Sequence, residues 1–410
     1  MQTYHLIVIG SGAAGMMAAI CAGRDGKRVL LLEKLPMIAS KLKATGGGRC
    51  NLTNTLDNET FMSHFGRDGR FMTPALEALD HEALIDFFLQ LGVESHAPDG
   101  YRVFPVTHNA NTIINALKQE MHNLGIEVQC SQKVEKLLYD EDKVTGVKTK
   151  SDIFYAQSIV VATGGMGYPS LGAEGDGYTM AKEIGHNIIP LYPAMMPLKV
   201  KETWVANCRA DTIAKVEMRV NIKKYKKYTA KGDLIFTKDG IRGPVVLDFS
   251  REITPLLSKY AEVPVLVNLT KGMNEEHIRQ HFKKVLKQNP HQNTIDVLLT
   301  LLPKSVALAL CQLANIDPTL SLSKQKGHSR DTLYTLLAWT PLTINGHDGF
   351  KMAMITRGGI DLKEIDPYTM QSKKRKGLYF CGEVINIDGP CGGYNLQWSF
   401  ASGYLAGKLQ

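Results

Sequence analysis

Residues 6–15 read Leu6-Ile7-Val8-Ile9-Gly10-Ser11-Gly12-Ala13-Ala14-Gly15, and the fold class turns on how this stretch is read. Leu6 to Ile9 form a continuous apolar run, the pattern of a strand buried on both faces of a parallel sheet. The glycines follow at once, and Met16 to Arg24 then reads as a helix rich in Ala, Met and Ile. Gly26 is placed to end that helix in a left-handed conformation. Arg28-Val29-Leu30-Leu31-Leu32-Glu33 is a second apolar strand closed by an acid. A strand, a G-x-G-x-x-G turn and a helix within one βαβ unit is the dinucleotide fingerprint. Gly10 permits the tight turn, Gly12 lets a pyrophosphate approach the backbone, and Gly15 lets helix and strand pack closely. Ser11, Ala13 and Ala14 complete the turn, whose free N–H groups and helix dipole favour phosphate. Glu33 stands 18 residues beyond Gly15, placed to accept a ribose hydroxyl. An acid there disfavours a 2′-phosphate, so FAD or NAD is expected over NADP.

Three later features favour FAD. The run Thr45-Gly46-Gly47-Gly48-Arg49-Cys50-Asn51 lets backbone lie against a planar ring, with Arg49 and Asn51 as donors. Ala162-Thr163-Gly164 ends an apolar strand and resembles the A-T-G return of flavoproteins. Near the C-terminus, Leu378 to Phe380 is a strand running through Cys381 into Gly382-Glu383. It leads to Asp388-Gly389-Pro390-Cys391-Gly392-Gly393-Tyr394-Asn395-Leu396-Gln397 and a last helix. Glu383 is placed to accept ribityl hydroxyls, and a helix starting near Asn395 would aim its positive end at a flavin.

Outward from these motifs, the chain has 410 residues, 44% hydrophobic and 21% charged. That is globular composition, excluding disordered, collagen-like and coiled-coil classes. No apolar run approaches the ~18 residues of a membrane span. The N-terminus lacks a basic n-region, so a cytoplasmic location is expected. Seven cysteines are scattered without C-x-x-C or Cys/His spacing, which argues against a disulfide framework and a structural metal. Helical periodicity covers 74–91 and 111–124. Strands are expected around 128, 134–150 and 153–162, then at 213–222, 233–237, 245–249 and 263–269. Helices follow at 274–288, 293–301, 303–315 and 329–338. The net charge of +8 includes two basic runs, Lys223-Lys224-Tyr225-Lys226-Lys227-Tyr228 and Lys373-Lys374-Arg375-Lys376. Both read as solvated turns, with an RNA patch as the alternative.

With these motifs in hand, Ser40-Lys41-Leu42-Lys43-Ala44-Thr45-Gly46-Gly47-Gly48-Arg49-Cys50-Asn51-Leu52-Thr53-Asn54 is the most specific run in the chain. Together with Gly382-Glu383 and Gly392 to Trp398 it resembles the HI0933-like (YhiN/BaiN-type) bacterial flavoproteins. Gly175-Asp176-Gly177, Phe236-Thr237, Gly240, Gly243-Pro244 and Thr356-Arg357-Gly358-Gly359 fit the same pattern. The resemblance implies a glutathione-reductase-like Rossmann FAD-binding domain. It also implies an inserted β-barrel-like domain that carries a helical subdomain. The expected division is 1–192 and 341–410 for the FAD-binding domain, with 193–340 as a substrate or lid insertion.

The resemblance places Gly10, Gly12, Ala14 and Gly15 at the pyrophosphate, and Glu33 with Lys34 at the adenosine ribose. Lys41, Gly47, Gly48, Arg49, Cys50 and Asn51 fall along the flavin, and the Val134 backbone at adenine. Ala162 to Gly164 close the pocket, while Glu383 and Asn395 to Gln397 hold the ribityl and ring. One departure stands out. Relatives carry a His and then Gly-Leu-Ser-Gly-Pro after the Thr, where this chain has Thr237-Lys238-Asp239-Gly240-Ile241-Arg242-Gly243-Pro244.

The function expected is an FAD-dependent oxidoreductase passing hydride between a small organic substrate, or NAD(P)H, and flavin N5. The resemblance implies a non-covalent FAD. No second strand–glycine–helix unit with its acid is present, so NAD(P)H is expected only as a transient reductant. Arg49, Tyr394, Tyr168 and His108 are candidates to face the ring, but none is assigned a catalytic role. Cys50, Cys381 and Cys391 are candidate redox partners of the flavin, with buried inert thiols as the commoner case. A membrane or a metal is not expected, and nucleic acid is not favoured as a partner. Two alternatives stay open: an RNA-associated flavoprotein using Lys223 to Lys227, and a flavin-free NAD-dependent dehydrogenase.

Overall fold

Strand β1 (Thr3–Ile9), helix α1 (Ala13–Arg24) and strand β2 (Val29–Leu32) form the expected βαβ unit in a computed structural model that describes residues 3–409. Leu6, Ile7 and Val8 are fully buried because β1 lies inside a sheet, parallel to β2 on one side and to strand Ile153–Val161 on the other. Strand Glu127–Gln129 extends the sheet beyond β2. The final strand, Leu378–Phe380, pairs in parallel with residues 159–161. Hairpin Val134–Asp140 and Lys143–Thr149 adds antiparallel strands beside Ile153–Val161. Five of the seven strands are therefore mutually parallel, and the loops at their C-terminal ends gather on one edge, where open α/β sheets bind ligands.

Helix α1 is buried from Ala13 to Ala22. Its small residues let the C-terminal helix, Tyr394–Gly407, approach so closely that a Cβ on Gly403 would lie 2.3 Å from the Ala14 carbonyl oxygen. This close approach offsets the roughly 1 kcal/mol that a mid-helix glycine costs relative to alanine.

Two secondary-structure expectations change. The helical stretch 74–91 is split into Thr73–Ala78 and His81–Gln90, because the Asp80 side chain accepts from the Ala83 N–H and caps a new helix start. Residues 245–249, expected as a strand, open helix Pro244–Leu257. Pro244 occupies the first turn, where its missing N–H costs nothing. Val245, Val246, Phe249, Ile253 and Leu256 then make one buried face at helical spacing. Five residues, four of them apolar, do not distinguish strand from helix; the longer period does.

Contacts divide the chain into two units, residues 1–193 with 353–410, and residues 194–352. The second unit contains a closed barrel in which strands Leu198–Val200, Gly240–Arg242, Thr229–Phe236, Thr212–Val220, Val263–Asn268 and Thr340–Gly346 follow one another around the wall. Helices Glu275–Gln288, Thr294–Leu298, Lys304–Leu313 and Gly327–Ala338 belong to the same unit and share its apolar core. Strand Thr340–Gly346 closes the barrel against Val263–Asn268 and Leu198–Val200, so the chain returns to the first unit at residue 353 rather than 341. The departing segment 237–244 supplies a barrel strand at Gly240–Arg242. A Cβ on Gly240 would meet the Leu198 carbonyl oxygen at 2.1 Å.

Candidate functional site

A cleft lies within the first unit, where the β1–α1 turn, the end of β2 and the loops after residues 161 and 380 converge. The three fingerprint glycines do different work there. A Cβ on Gly10 would lie 2.6 Å from the Ala162 carbonyl oxygen, and one on Gly15 would lie 1.9 Å from the Gly10 carbonyl oxygen. Both glycines are demanded by the protein's own packing. Gly12 has an ordinary φ of −72°, and a Cβ there would meet no atom within 4 Å. Nothing in the polypeptide requires glycine at that position; the open space belongs to the cleft.

Glu33 is held in the cleft wall by the Ser11 N–H at 3.0 Å and the Leu35 N–H at 2.8 Å, and the Ser11 hydroxyl also donates to it. A carboxylate offers about four lone-pair sites, so one remains for an outside hydroxyl. Beside it, Lys34 pairs with Glu174 at 2.8 Å and with Asp176. Lys133 reaches Asp176 at 3.1 Å. Burial pushes the Asp176 carboxyl up, but hydrogen bonds from Lys34 and Lys133 outweigh it and hold the group below its ordinary value. Val134 lines the same end, next to Gln132 and Lys133.

At the other end, Lys41 Nζ donates to Glu383 Oε2 at 2.7 Å, and the Thr356 N–H donates to Glu383 Oε1 at 2.8 Å. The buried Tyr178 hydroxyl donates to the Glu383 carbonyl oxygen at 3.2 Å, and burial raises that phenol far above its ordinary pKa. Asn395, Leu396, Trp398 and Ser399, from the first turns of the C-terminal helix, also line the cleft. The Asn395 amide ties back to Gly389 through both its atoms, at 2.8 and 2.9 Å. Two helix N-termini thus present their positive ends to one cavity.

Of the residues expected at the site, Gly10, Ser11, Gly12, Ala13, Ala14, Glu33, Lys34, Lys41, Thr45, Val134, Ala162, Thr163, Gly164, Gly382, Glu383, Asp388, Asn395 and Leu396 line this cleft. The others do not. Gly15 is consumed by packing. Gly46 and Gly47 adopt left-handed conformations in a short helical turn. Arg49 donates to the Gly46 carbonyl and lies over the Phe104 ring, and Gly48 sits beside it in the same turn. Cys50 is fully buried, and burial pushes its thiol up to about 12. Asn51 fastens two strands, its amide donating to the Thr53 and Val103 carbonyls and accepting from the Gly393 N–H. Gly393 (φ +89°) lies so near Thr53 that a Cβ would stand 2.3 Å from its carbonyl oxygen. Tyr394 is buried among Phe61, His64 and Phe65, and its hydroxyl accepts from Tyr101 at 2.6 Å. Gln397 is buried and donates to the Leu79 carbonyl.

His108 is exposed and paired with His96 at 2.9 Å, away from the cleft lining. Tyr168 is half-buried in a left-handed turn. Cys381 does line the cleft, but complete burial drives its thiol upward. Sequence reading missed Gln132, Lys133, Asp176, Thr356 and Ser399 as lining residues. The first two adjoin Val134 on the strand edge, and Asp176 and Thr356 sit inside motifs already noted for their glycines.

The residues fit FAD. Gly12 leaves room for a pyrophosphate, Glu33 retains an acceptor, and the helix ends suit anionic groups. A family model described as the HI0933-like protein Rossmann domain matches residues 4–409. The 3-dehydro-bile acid delta(4,6)-reductase of Clostridium scindens is 33% identical, covering 98% of this chain and 97% of its own. The ribosomal RNA dihydrouridine synthase of Escherichia coli is 29% identical, covering 100% of this chain and 98% of its own. Among solved structures, the 3-ketosteroid-delta4-(5alpha)-dehydrogenase of Rhodococcus jostii RHA1 shares the fold with a TM-score of 0.52, at 16% identity, over 99% of this chain and 96% of its own.

Proposed function

This chain belongs to the HI0933-like family, and from that premise we propose that it reduces a carbon–carbon double bond conjugated to a carbonyl, using FAD. It is an oxidoreductase with a Rossmann-type FAD-binding domain. The reaction class rests on one observation. Two relatives matched over nearly their whole length carry names for saturating such a bond, one in a 3-oxo steroid skeleton and one in a uracil ring. Their substrates differ in size and charge, but both present an electron-poor carbon β to a carbonyl.

Bound in the cleft, FAD supplies the hydride-transfer chemistry. The protein's part is binding and orientation. The open face at Gly12 and the α1 N-terminus take the pyrophosphate, and Glu33 takes a ribose hydroxyl. Lys41, held by Glu383, sets the far end of the cleft. The N-terminus of the C-terminal helix stabilises negative charge placed against it. NAD(P)H serves as a visiting reductant of the flavin.

Anaerobic purification followed by flavin identification and a panel of NADH, NADPH and small amines tests this reading. A yellow protein bleached by a reduced nicotinamide supports it. Bleaching by amines alone would replace it with an oxidase, and a colourless NAD-binding protein would replace it with a dehydrogenase.

A further inference from the structure

The basic run in the second unit forms the tip between barrel strands Thr212–Val220 and Thr229–Phe236. From Asn221 to Lys231 the sequence carries five lysines and no acidic residue. Lys223, Lys224, Lys226 and Lys227 are exposed, and none forms an ion pair among the described residues. Between them, Tyr225 and Tyr228 stack with ring centroids 5.6 Å apart and planes 21° from parallel. Tyr260 meets Tyr225 edge-on at 6.2 Å. Lysines attend each ring: Lys224 lies 5.7 Å from the Tyr225 centroid, Lys227 5.7 Å from Tyr228, and Lys259 5.4 Å from Tyr260. Lys259 also donates to the Tyr225 hydroxyl at 3.3 Å.

Tyr225, Tyr228 and Tyr260 pack against the apolar core of the second unit, yet all three stay partly exposed beside the lysines. A lipid-inserting tip would carry Leu, Phe or Trp, and this one carries none of them. Stacked rings interleaved with unpaired cations suit a polyanion that also has planar faces: bases stack on the rings while lysines follow the phosphates. Phenol hydroxyls set among ammonium groups also suit a 2′-hydroxyl, which both donates and accepts. We propose that residues 223–228, with Lys259 and Tyr260, form a docking surface for RNA with unpaired bases. It departs from the solvated-turn expectation and does not rest on the reductase reading. Binding is read without turnover, so either can fail alone.

The test uses the full chain loaded with FAD and a fluorescein-labelled RNA stem-loop with a uridine-rich loop, followed by anisotropy across salt concentrations. Four lysine contacts give a slope of log K against log salt of about −3. The quadruple Lys→Glu variant at 223, 224, 226 and 227 should lose at least tenfold in affinity and most of that slope. Tyr225→Ala with Tyr228→Ala should lose about tenfold at an unchanged slope. Tyr225→Phe with Tyr228→Phe keeps the stack and should stay within about threefold, which separates lost stacking from a collapsed hairpin. Flavin content and melting temperature report folding. Wild-type affinity in the lysine variant overturns the proposal. So does equal binding of the stem-loop, its DNA counterpart, a paired RNA duplex and phosphatidylglycerol vesicles, which would mark a general polyanion patch.

Discussion

Lys41 and Glu383 are 342 positions apart in sequence, yet their side chains meet at 2.7 Å across the cleft wall. The pair joins the segment after β2 to the loop before the C-terminal helix, and the Thr356 N–H completes the carboxylate's partners. Both side chains are largely shielded, at 24% and 17% exposure, so truncating one strands the other. Glu383→Ala is expected to weaken FAD binding about 10- to 100-fold, the scale of a hydrogen bond to a charged group. Glu383→Gln keeps an acceptor for Thr356 and should lose less. Flavin-fluorescence titration of the apoprotein measures both.

The fingerprint glycines separate fold from binding. Gly12→Val adds a side chain where the polypeptide has no neighbour within 4 Å. The apoprotein should therefore melt within a few degrees of wild type but purify without flavin. Gly15→Ala drives a methyl into the Gly10 carbonyl, and should cost about 3 kcal/mol or more whether flavin is bound or not. Calorimetry with and without FAD distinguishes the two outcomes.

His186 is buried between Glu364 at 3.0 Å and Ser372 at 2.8 Å. Burial lowers its pKa, Glu364 opposes the shift, and Lys374 and Arg375 reinforce it. A histidine whose folded pKa lies below its unfolded value contributes stability above the unfolded value of 6.5, and that contribution is lost as pH falls through the folded value. The melting temperature should drop between pH 7 and pH 5, and His186→Gln should flatten that slope. An unchanged slope in the variant would remove the assignment.

Cys50 and Cys381 are expected to stay out of the electron path. Burial pushes Cys50 up to about 12 and raises Cys381 further, so neither offers a thiolate near neutral pH. Anaerobic reductive titration should consume one two-electron equivalent per flavin, and Cys381→Ala should leave that stoichiometry unchanged. A second equivalent, lost in the variant, would show a thiol taking part.

The βαβ start was legible because strand, glycines, helix and acid are all local. Residue spacing alone placed Gly12 and Glu33 on the cleft. Lys133, beside Val134, and Thr356, inside a glycine motif, were not picked out, since only tertiary folding shows that their side chains reach the cleft. Arg49, Asn51 and Tyr394 were read as ring contacts because they stand in glycine-rich company. In the fold, those residues bond to neighbouring backbone or pack on aromatic rings; Gly393 serves close approach to the Thr53 backbone, while Gly46, Gly47 and Gly48 hold positive φ in their turn. Residues 245–249 misled because so short a stretch carries neither period.

The most direct test reduces the FAD-loaded protein anaerobically and then adds a 3-oxo-Δ4 steroid or a uridine-containing RNA as oxidant. The yellow flavin band should return in step with a product carrying two more hydrogens, saturated at the bond conjugated to its carbonyl. A flavin that stays bleached with both substrates and is reoxidised only by oxygen would rule out the proposed reaction.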